Sequence, residues 1–123
     1  MGFLTGVPGA CLAVSGPGQI HGIAGLANAW SNCWPMVLLG GASFAEQESM
    51  GAFQEAPQIA AAKPFCKYAA RPDSIERVPY FLEVAVRMCT HGRPGAAYID
   101  LPANICMGQS TTEAVTFVPK CPP

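Results

Sequence analysis

The feature that most constrains this chain is the absence of charge from its first third. Residues 1–45 contain no Asp, Glu, Lys or Arg, and all fifteen charged residues lie between Glu46 and Lys120. A chain of 123 residues that folds as one domain must leave a large share of its surface in water. The uncharged segment therefore indicates burial on both faces of a sheet, or burial against a partner.

Composition and patterning argue against two functional classes. Gly or Pro interrupts every apolar run well short of the roughly 18–20 residues that a membrane-spanning helix needs, and no basic segment of the kind that begins a signal peptide is present. The net charge is −1 and the seven basic residues are scattered, which is poor material for binding a phosphate backbone. We therefore expect no membrane span and no nucleic-acid partner.

The cysteines predict a reducing, intracellular compartment. None of the six forms a C-x-x-C pair, and Cys11, Cys33 and Cys89 fall inside apolar patterns. We interpret these three as reduced core thiols rather than as disulfide partners or metal ligands. Cys89 and His91 are the only Cys/His pair close in sequence, and we predict no metal site there.

Short apolar runs alternate with helical patterns, which predicts an α/β fold with a parallel sheet flanked by helices. The runs are bounded by Gly and Pro, as is typical of strands buried on both faces. The predicted strands cover residues 9–15, 35–40, 67–70 and 96–101. The predicted helices cover residues 18–33, residues 52–62 and a segment that follows residues 73–76.

Two of these helices allow a core face to be predicted. In the first, the apolar stripe at helical spacing consists of Ile20, Ile23, Ala27, Trp30 and Trp34. Before the last helix, Asp73 and Glu76 fit a capping box, while Pro79 indicates that the main helix begins there. The core face of this last helix comprises Val78, Leu82, Ala85 and Cys89. His91-Gly92 ends the helix.

The turn Ser15-Gly16-Pro17-Gly18 joins the first predicted strand to the first long helix. In open α/β sheets, ligands lie at the carboxyl ends of strands, where helix N-termini present free N–H groups. The dinucleotide pattern G-x-G-x-x-G is not met, because its third glycine position is occupied by His21, and the phosphate-loop pattern is absent. From the residues alone, the turn is either a structural connection or a bare backbone surface for a flat or anionic ligand.

Other candidates have structural interpretations beside functional ones. Phe53 and Gln54 either begin a surface helix or face a site opposite the turn. His21 is either a satisfied partner of the backbone or a base. Asp100 ends a strand, where it either faces a site or caps local amides. The nucleophile-elbow pattern G-x-S-x-G does not occur.

Three segments carry a resemblance to known proteins: residues 6–41, 51–75 and 91–105. Taken together, they resemble the pyrimidine-binding domain of thiamine-diphosphate-dependent enzymes. Each is weak alone, but the ordered set is specific and covers roughly residues 2–106. Within that family the chain is most similar to 2-hydroxyacyl-CoA lyases and oxalyl-CoA decarboxylases, with acetolactate synthases further off.

The resemblance implies a cofactor, thiamine diphosphate with Mg²⁺, that lies between subunits. Ser15, Gly16, Pro17 and Gly18 would pack near its aminopyrimidine ring and hold it by backbone contact. The diphosphate and Mg²⁺ would be held by another domain, usually that of a homologous subunit in an oligomer. The uncharged residues would then be sheet core and subunit interface.

The resemblance also implies a reaction. Phe53 and Gln54 match positions that line the reaction site, where oxalyl-CoA decarboxylases carry Tyr-Glu. Phe-Gln therefore favours a lyase that cleaves a 2-hydroxyacyl-CoA, the acyl-CoA substrate, into formyl-CoA and an aldehyde. Such lyases are expected in peroxisomes or at the endoplasmic reticulum, although Cys121-Pro-Pro123 is not a peroxisomal address.

Two motifs of the family are missing. The catalytic glutamate lies upstream of the strand that leads to the turn, and the Gly-Asp-Gly motif of the metal site is absent, so we assign no catalytic residue and no metal ligand here. We interpret residues 1–106 as a partial pyrimidine-binding domain that lacks its first strand and helix and leaves an open sheet edge. Residues 107–123 are interpreted as a linker toward a missing central domain.

Alternatives remain to this interpretation as a lyase fragment. One is a fragment of a decarboxylase acting on oxalyl-CoA or another 2-oxo acid. Another is a non-catalytic fragment that pairs with an intact homologous subunit. An independent nucleotide-binding module is disfavoured by the broken glycine pattern.

The missing motifs generate a prediction about the 123-residue polypeptide by itself. With one wall of the cofactor site but neither the glutamate nor the metal site, it should neither bind thiamine diphosphate tightly nor catalyse. Titration calorimetry with cofactor and Mg²⁺ measures this directly. Stoichiometric binding would contradict the prediction.

Overall fold

In a computed structural model, which describes residues 1–115 and 117–119, the chain forms a four-stranded sheet. All three strand pairs are parallel and the spatial order is β1-β2-β4-β3. The predicted α/β class with a parallel sheet is therefore confirmed. The strands are β1 (Gly9–Ala13), β2 (Met36–Ala42), β3 (Tyr68–Ala70) and β4 (Ala96–Pro102).

Helices cover both faces of this sheet. The α-helices are α1 (Gly2–Thr5), α2 (Pro17–Asn32), α3 (Gln58–Ala62), α4 (Val78–Thr90) and α5 (Ala103–Met107). Short 3₁₀ turns lie at Ala45–Gln47, Lys63–Phe65 and Thr112–Ala114. None of the described helices is long and apolar enough to cross a membrane. No described residue after Met107 joins the sheet.

Along the two central strands, β2 and β4, side chains alternate between the two faces of the sheet. Each face therefore has its own hydrophobic core. On one face, Leu38 of β2 and Tyr98 of β4 pack with α2 and α3. On the other face, Val37 of β2 and Ile99 of β4 pack with α4. Ala85 and Cys89 are the buried residues of α4, as its apolar spacing predicted. The prediction of burial on both faces is confirmed for β2 and β4.

For β1 the prediction of burial on both faces is wrong. Within the described residues β1 pairs only with β2, so it is an edge strand. Leu12 is 72% exposed and Val14, just beyond the strand, is 62% exposed. The uncharged first third is therefore interior only in part, and its apolar edge is available to another segment or subunit.

The predicted core stripe of α2 is correct only in part: Ile23 packs against the core, but the fully buried positions are displaced by one residue. Ile20 and Trp30 of that stripe are exposed, whereas Gln19, Leu26 and Ala29 are buried. The buried face includes Gly22, where a Cβ would lie only 2.9 Å from Leu38 Cδ2. Helix and strand approach closely at this glycine, and that contact sets the rotation of the helix. Counting large apolar residues could not detect a contact made by a residue without a side chain.

The capping box before α4 is not formed. The helix begins at Val78 with Pro79 in its first turn, as that proline indicated, and no side chain caps it. Asp73 instead pairs with Arg77 at 2.6 Å, and Glu76 accepts a hydrogen bond from Ser110 Oγ at 2.5 Å. The proline places the helix start beyond the reach of the predicted box.

The cysteines follow the core prediction only in part. Cys66 and Cys89 are buried, and burial raises the pKa of each thiol to about 11. Cys11 lies on β1, whose side chains are largely exposed, and Cys33 is half-buried at the end of α2. The five described cysteines are free, and Cys121 lies outside the described residues.

A buried glutamine that has no hydrogen-bond partner among the described residues generates a prediction about stability. Both side-chain polar atoms of Gln19 are buried without a hydrogen-bond partner among the described residues, and such an amide loses its hydration without compensation. Gln19→Met keeps the shape and should raise the free energy of unfolding by about 1–3 kcal/mol. Urea denaturation measures this, with exposed Gln47→Met as the control expected to change little. Destabilisation by Gln19→Met would contradict the prediction.

Candidate functional site

The turn Ser15–Gly18 lies at the carboxyl end of β1 and begins α2. Gly16 is buried, with φ 63° and ψ −118°, a backbone conformation open essentially to glycine alone. Pro17 is the first residue of α2 and is exposed. Proline is suited to that position because its missing N–H would have no helical partner. The turn therefore presents backbone and a proline ring, and no charged side chain.

The structure brings this turn together with the second predicted segment. Ser15 Oγ lies 3.1 Å from Gln54 Oε1, to which it donates a hydrogen bond. A Cβ on Gly16 would lie 2.7 Å from the Gln54 carbonyl oxygen, so only a glycine allows the two backbones to come this close. Phe53, in contrast, is 86% exposed and projects from the surface beside the turn.

The segment around Gln54 is a loop and not the first half of a helix as predicted. Helix α3 begins only at Gln58, and Gln54 has φ 58°. The Glu55 carboxylate accepts hydrogen bonds from the backbone N–H groups of Ser49, Gly51 and Ala52. These bonds, that from Ser49 foremost, lower the pKa of Glu55. Such a side-chain cap on loop amides competes directly with helix formation.

Gln58 is a site residue that the sequence analysis did not single out. Its Oε1 accepts a hydrogen bond from the Gly16 N–H at 2.7 Å. Its Nε2 lies within hydrogen-bond distance of the Gly41 carbonyl at 2.9 Å, the Tyr98 hydroxyl at 3.0 Å and Asp100 Oδ1 at 2.7 Å. A polar residue in the first turn of a short helix gives no signal of this, because its partners lie far away in sequence.

Asp100 is completely buried and is the charged centre of this cluster. Tyr98 donates to its Oδ1 at 2.5 Å, and Arg71 Nε donates to its Oδ2 at 2.7 Å. Burial, together with the Asp100 charge, raises the pKa of Tyr98, so the phenol remains protonated. The interpretation of Asp100 as a cap on local amides is wrong, because its partners are other side chains. It does not face an open site directly either, because it is completely buried.

Arg71 connects the cluster to a surface cleft. Burial acts to lower the pKa of Arg71, but the hydrogen bonds and charges of Asp100 and Glu48 outweigh it and raise the pKa. Arg71 Nη1 lies 3.0 Å from Glu48 Oε2. A cleft of about 330 Å³ lies against Arg71, Gln58 and the loop over residues 42–57.

Two other candidates are placed apart from this chemistry. His21 is exposed on α2. Cys89 is buried, and its thiol donates to the carbonyl of Met36 at 3.0 Å. Across the residues that the structure describes, no three His, Cys, Asp or Glu side chains are grouped so that they could hold a metal ion.

Comparison with known proteins identifies the family of the chain. A family model described as "Thiamine pyrophosphate enzyme, N-terminal TPP binding domain" matches residues 1–62, which include the turn, Gln54 and Gln58. The chain belongs to this family. The resemblance recognised in the sequence is thereby confirmed.

Relatives within the family are similar over almost the whole chain. The chain is 50% identical to 2-hydroxyacyl-CoA lyase 1 of Mus musculus over 123 residues, 100% of this chain, and 49% identical to that of Homo sapiens over 121 residues, 98% of this chain. It is 40% identical to oxalyl-CoA decarboxylase of Escherichia coli (strain K12) over 122 residues, 97% of this chain. The chain spans only 21%, 21% and 22% of these three relatives' lengths, respectively.

The residues present fit one side of a thiamine diphosphate site. An uncharged turn with a buried Gly16, and beside it the Gln54 amide, offers a smooth polar surface to a flat heterocycle. The backbone N–H of Gly18 lies in the first turn of α2, where N–H groups have no helical acceptor. The described residues supply this surface but no group of metal ligands.

The glycine-specific conformation of the turn generates a prediction about stability. Gly16→Ala adds a Cβ against Gln54 in a backbone conformation that alanine avoids, and should lower the free energy of unfolding by at least about 2 kcal/mol. Gly6→Ala is the control for a positive φ without a close neighbour. Gly6 also has a positive φ of 70°, but a Cβ there meets nothing within 4 Å, so the expected loss is about 1 kcal/mol. Equal losses in urea denaturation would contradict the contact with Gln54.

Proposed function

We propose that this chain is part of a thiamine-diphosphate-dependent 2-hydroxyacyl-CoA lyase, which cleaves its substrate into formyl-CoA and an aldehyde. The observation that carries the proposal is the meeting of the Ser15–Gly18 turn with Gln54. Two segments that resemble the cofactor wall and the reaction-site lining of such lyases are adjacent in space. The two relatives at 50% and 49% identity are both named 2-hydroxyacyl-CoA lyase 1.

In this proposal the residues of the chain bind and orient. Ser15, Gly16, Pro17 and Gly18 form one wall of the aminopyrimidine site, and Ser15 orients the Gln54 amide. Phe53 and Gln54 line the space for the acyl-CoA substrate and keep water from it. When bound, thiamine diphosphate supplies a carbanion for covalent catalysis. Its diphosphate and Mg²⁺ are held by residues outside those described here.

Oxalyl-CoA decarboxylation is the second candidate. It is supported by the relative from Escherichia coli, which is 40% identical and carries that name. The Phe53-Gln54 pair disfavours it, because oxalyl-CoA decarboxylases carry Tyr-Glu at the matching positions.

A homologous subunit is the proposed partner. The exposed apolar edge at Leu12 and Val14 and the lack of charge over residues 1–45 support burial of this face in an assembly. A non-catalytic role, in which the chain pairs with an intact subunit, rests on the same surface. Co-purification with such a subunit without added activity would favour that role over the lyase.

An assay on both substrates tests the proposed reaction. The full-length product of the gene that encodes this segment is supplied with thiamine diphosphate and Mg²⁺. With a 2-hydroxyacyl-CoA it should release formyl-CoA and an aldehyde, at a kcat/KM at least tenfold above that for oxalyl-CoA. Release of CO₂ from oxalyl-CoA with the higher kcat/KM would overturn the lyase proposal in favour of the decarboxylase.

Substitution of the lining residues sharpens the same assay. The double change Phe53→Tyr and Gln54→Glu introduces the pair typical of oxalyl-CoA decarboxylases and should lower lyase kcat/KM at least tenfold, about 1.4 kcal/mol of transition-state stabilisation. Gln47→Glu repeats the Gln-to-Glu part of this change on an exposed 3₁₀ turn and should have little effect. Unchanged lyase activity in the double variant would show that Phe53 and Gln54 do not line the reaction site.

A further inference from the structure

The orientation of the Gln58 side-chain amide is determined by its surroundings. The Gly16 N–H can only donate, so it must face the amide oxygen. The Gly41 carbonyl and the Asp100 carboxylate can only accept, so both must face the amide nitrogen. Reversal of the amide would place oxygen against oxygen on one side and N–H against N–H on the other.

The cluster behind Gln58 makes this orientation rigid. Asp100 has no exposed surface and takes hydrogen bonds from Tyr98, Arg71 and Gln58. Hydrogen bonds to an ionised group are about twice as strong as neutral ones, and they strengthen further in a buried, low-dielectric environment. The amide nitrogen of Gln58 is therefore anchored, and its oxygen is held at one position in front of the turn.

We propose that Gln58 is a positioning residue that transmits the geometry of the buried Asp100 cluster to the backbone of the Ser15–Gly18 turn. It holds the Gly16 N–H, and so the glycine-specific backbone conformation of Gly16, in the arrangement that receives the aminopyrimidine ring. The inference rests on the proposed function for the identity of the ring. The hydrogen bond to Gly16 stands independently of it.

The chain itself contains a matched control. Gln19 is a second fully buried glutamine near the same turn, but its amide has no hydrogen-bond partner among the described residues. Gln58→Met and Gln19→Met are the same chemical change in similar burial. The first removes the hydrogen bond to Gly16 and the anchor on Asp100, whereas the second removes none of these.

Hydrogen exchange tests the structural part of the inference. In the full-length gene product, mass spectrometry follows deuterium uptake of the peptide that spans Ser15–Gly18. Gln58→Met should accelerate uptake in this peptide at least tenfold, and Gln19→Met should not. Equal uptake in the wild-type and Gln58→Met proteins would overturn the inference.

Coenzyme affinity is the second readout, measured as the Kd for thiamine diphosphate in the presence of Mg²⁺. Gln58→Met should raise Kd at least tenfold and Gln19→Met less than twofold. Retention of wild-type affinity by Gln58→Met would overturn the positioning role alone. Failure of the wild-type protein itself to bind thiamine diphosphate would instead overturn the proposed function, and with it the coenzyme part of the inference.

Gln58→Glu is a second variant, which tests the positioning role even if Gln58→Met does not fold. At low pH it should recover the coenzyme affinity that a merely structural residue would not recover. Burial and the charge of Asp100 favour the neutral carboxyl at position 58, with Arg71 and Tyr98 as the other groups of the cluster. The neutral carboxyl can accept from the Gly16 N–H and donate to Asp100, but the carboxylate cannot donate. The ratio of variant to wild-type Kd should therefore fall toward one as the pH falls from 8 to about 5.5. A ratio independent of pH would overturn the inference.

Discussion

A buried carboxylate is the constraint on which the rest of this structure depends. Asp100 lies at the end of the central strand β4 with no access to solvent, and an unpaired charge there would be very costly. Its three hydrogen-bond donors come from β4, from α3 and from the segment after β3. Satisfying this one charge therefore ties together elements that are distant in the sequence, and Gln58 extends the network to the turn before α2.

Close packing at glycines is the second constraint. The Tyr98 hydroxyl occupies the space where a side chain on Gly40 would be. Because Gly40 has no side chain, Tyr98 can pack against β2 beside Asp100. Gly22 brings α2 against β2, and Gly16 brings the turn against the Gln54 backbone. In each case the missing Cβ allows polar or apolar groups from two elements to meet.

These two constraints produce a surface that is polar but uncharged. The Asp100 charge is separated from the turn by the Gln58 amide and paired with Arg71. The turn itself shows backbone groups, a proline ring and the Gln54 amide. Such a surface supports the proposed role of the turn as one wall of an aminopyrimidine site.

The succession of strands and long helices along the chain followed from the amino-acid sequence by itself. Apolar runs bounded by Gly and Pro are local signals, and the family motifs around residues 15–18 and 53–54 are contiguous. What only the tertiary structure decided is which residues meet and which are covered. The side chains of β1 are exposed because the described helices leave them largely uncovered. Helix α2 is rotated because Gly22 permits close contact, and Gln58 joins the site because folding brings together Gly16, Gly41 and Asp100. Such contacts join residues more than fifteen positions apart in the sequence, so periodicity and spacing give no signal of them.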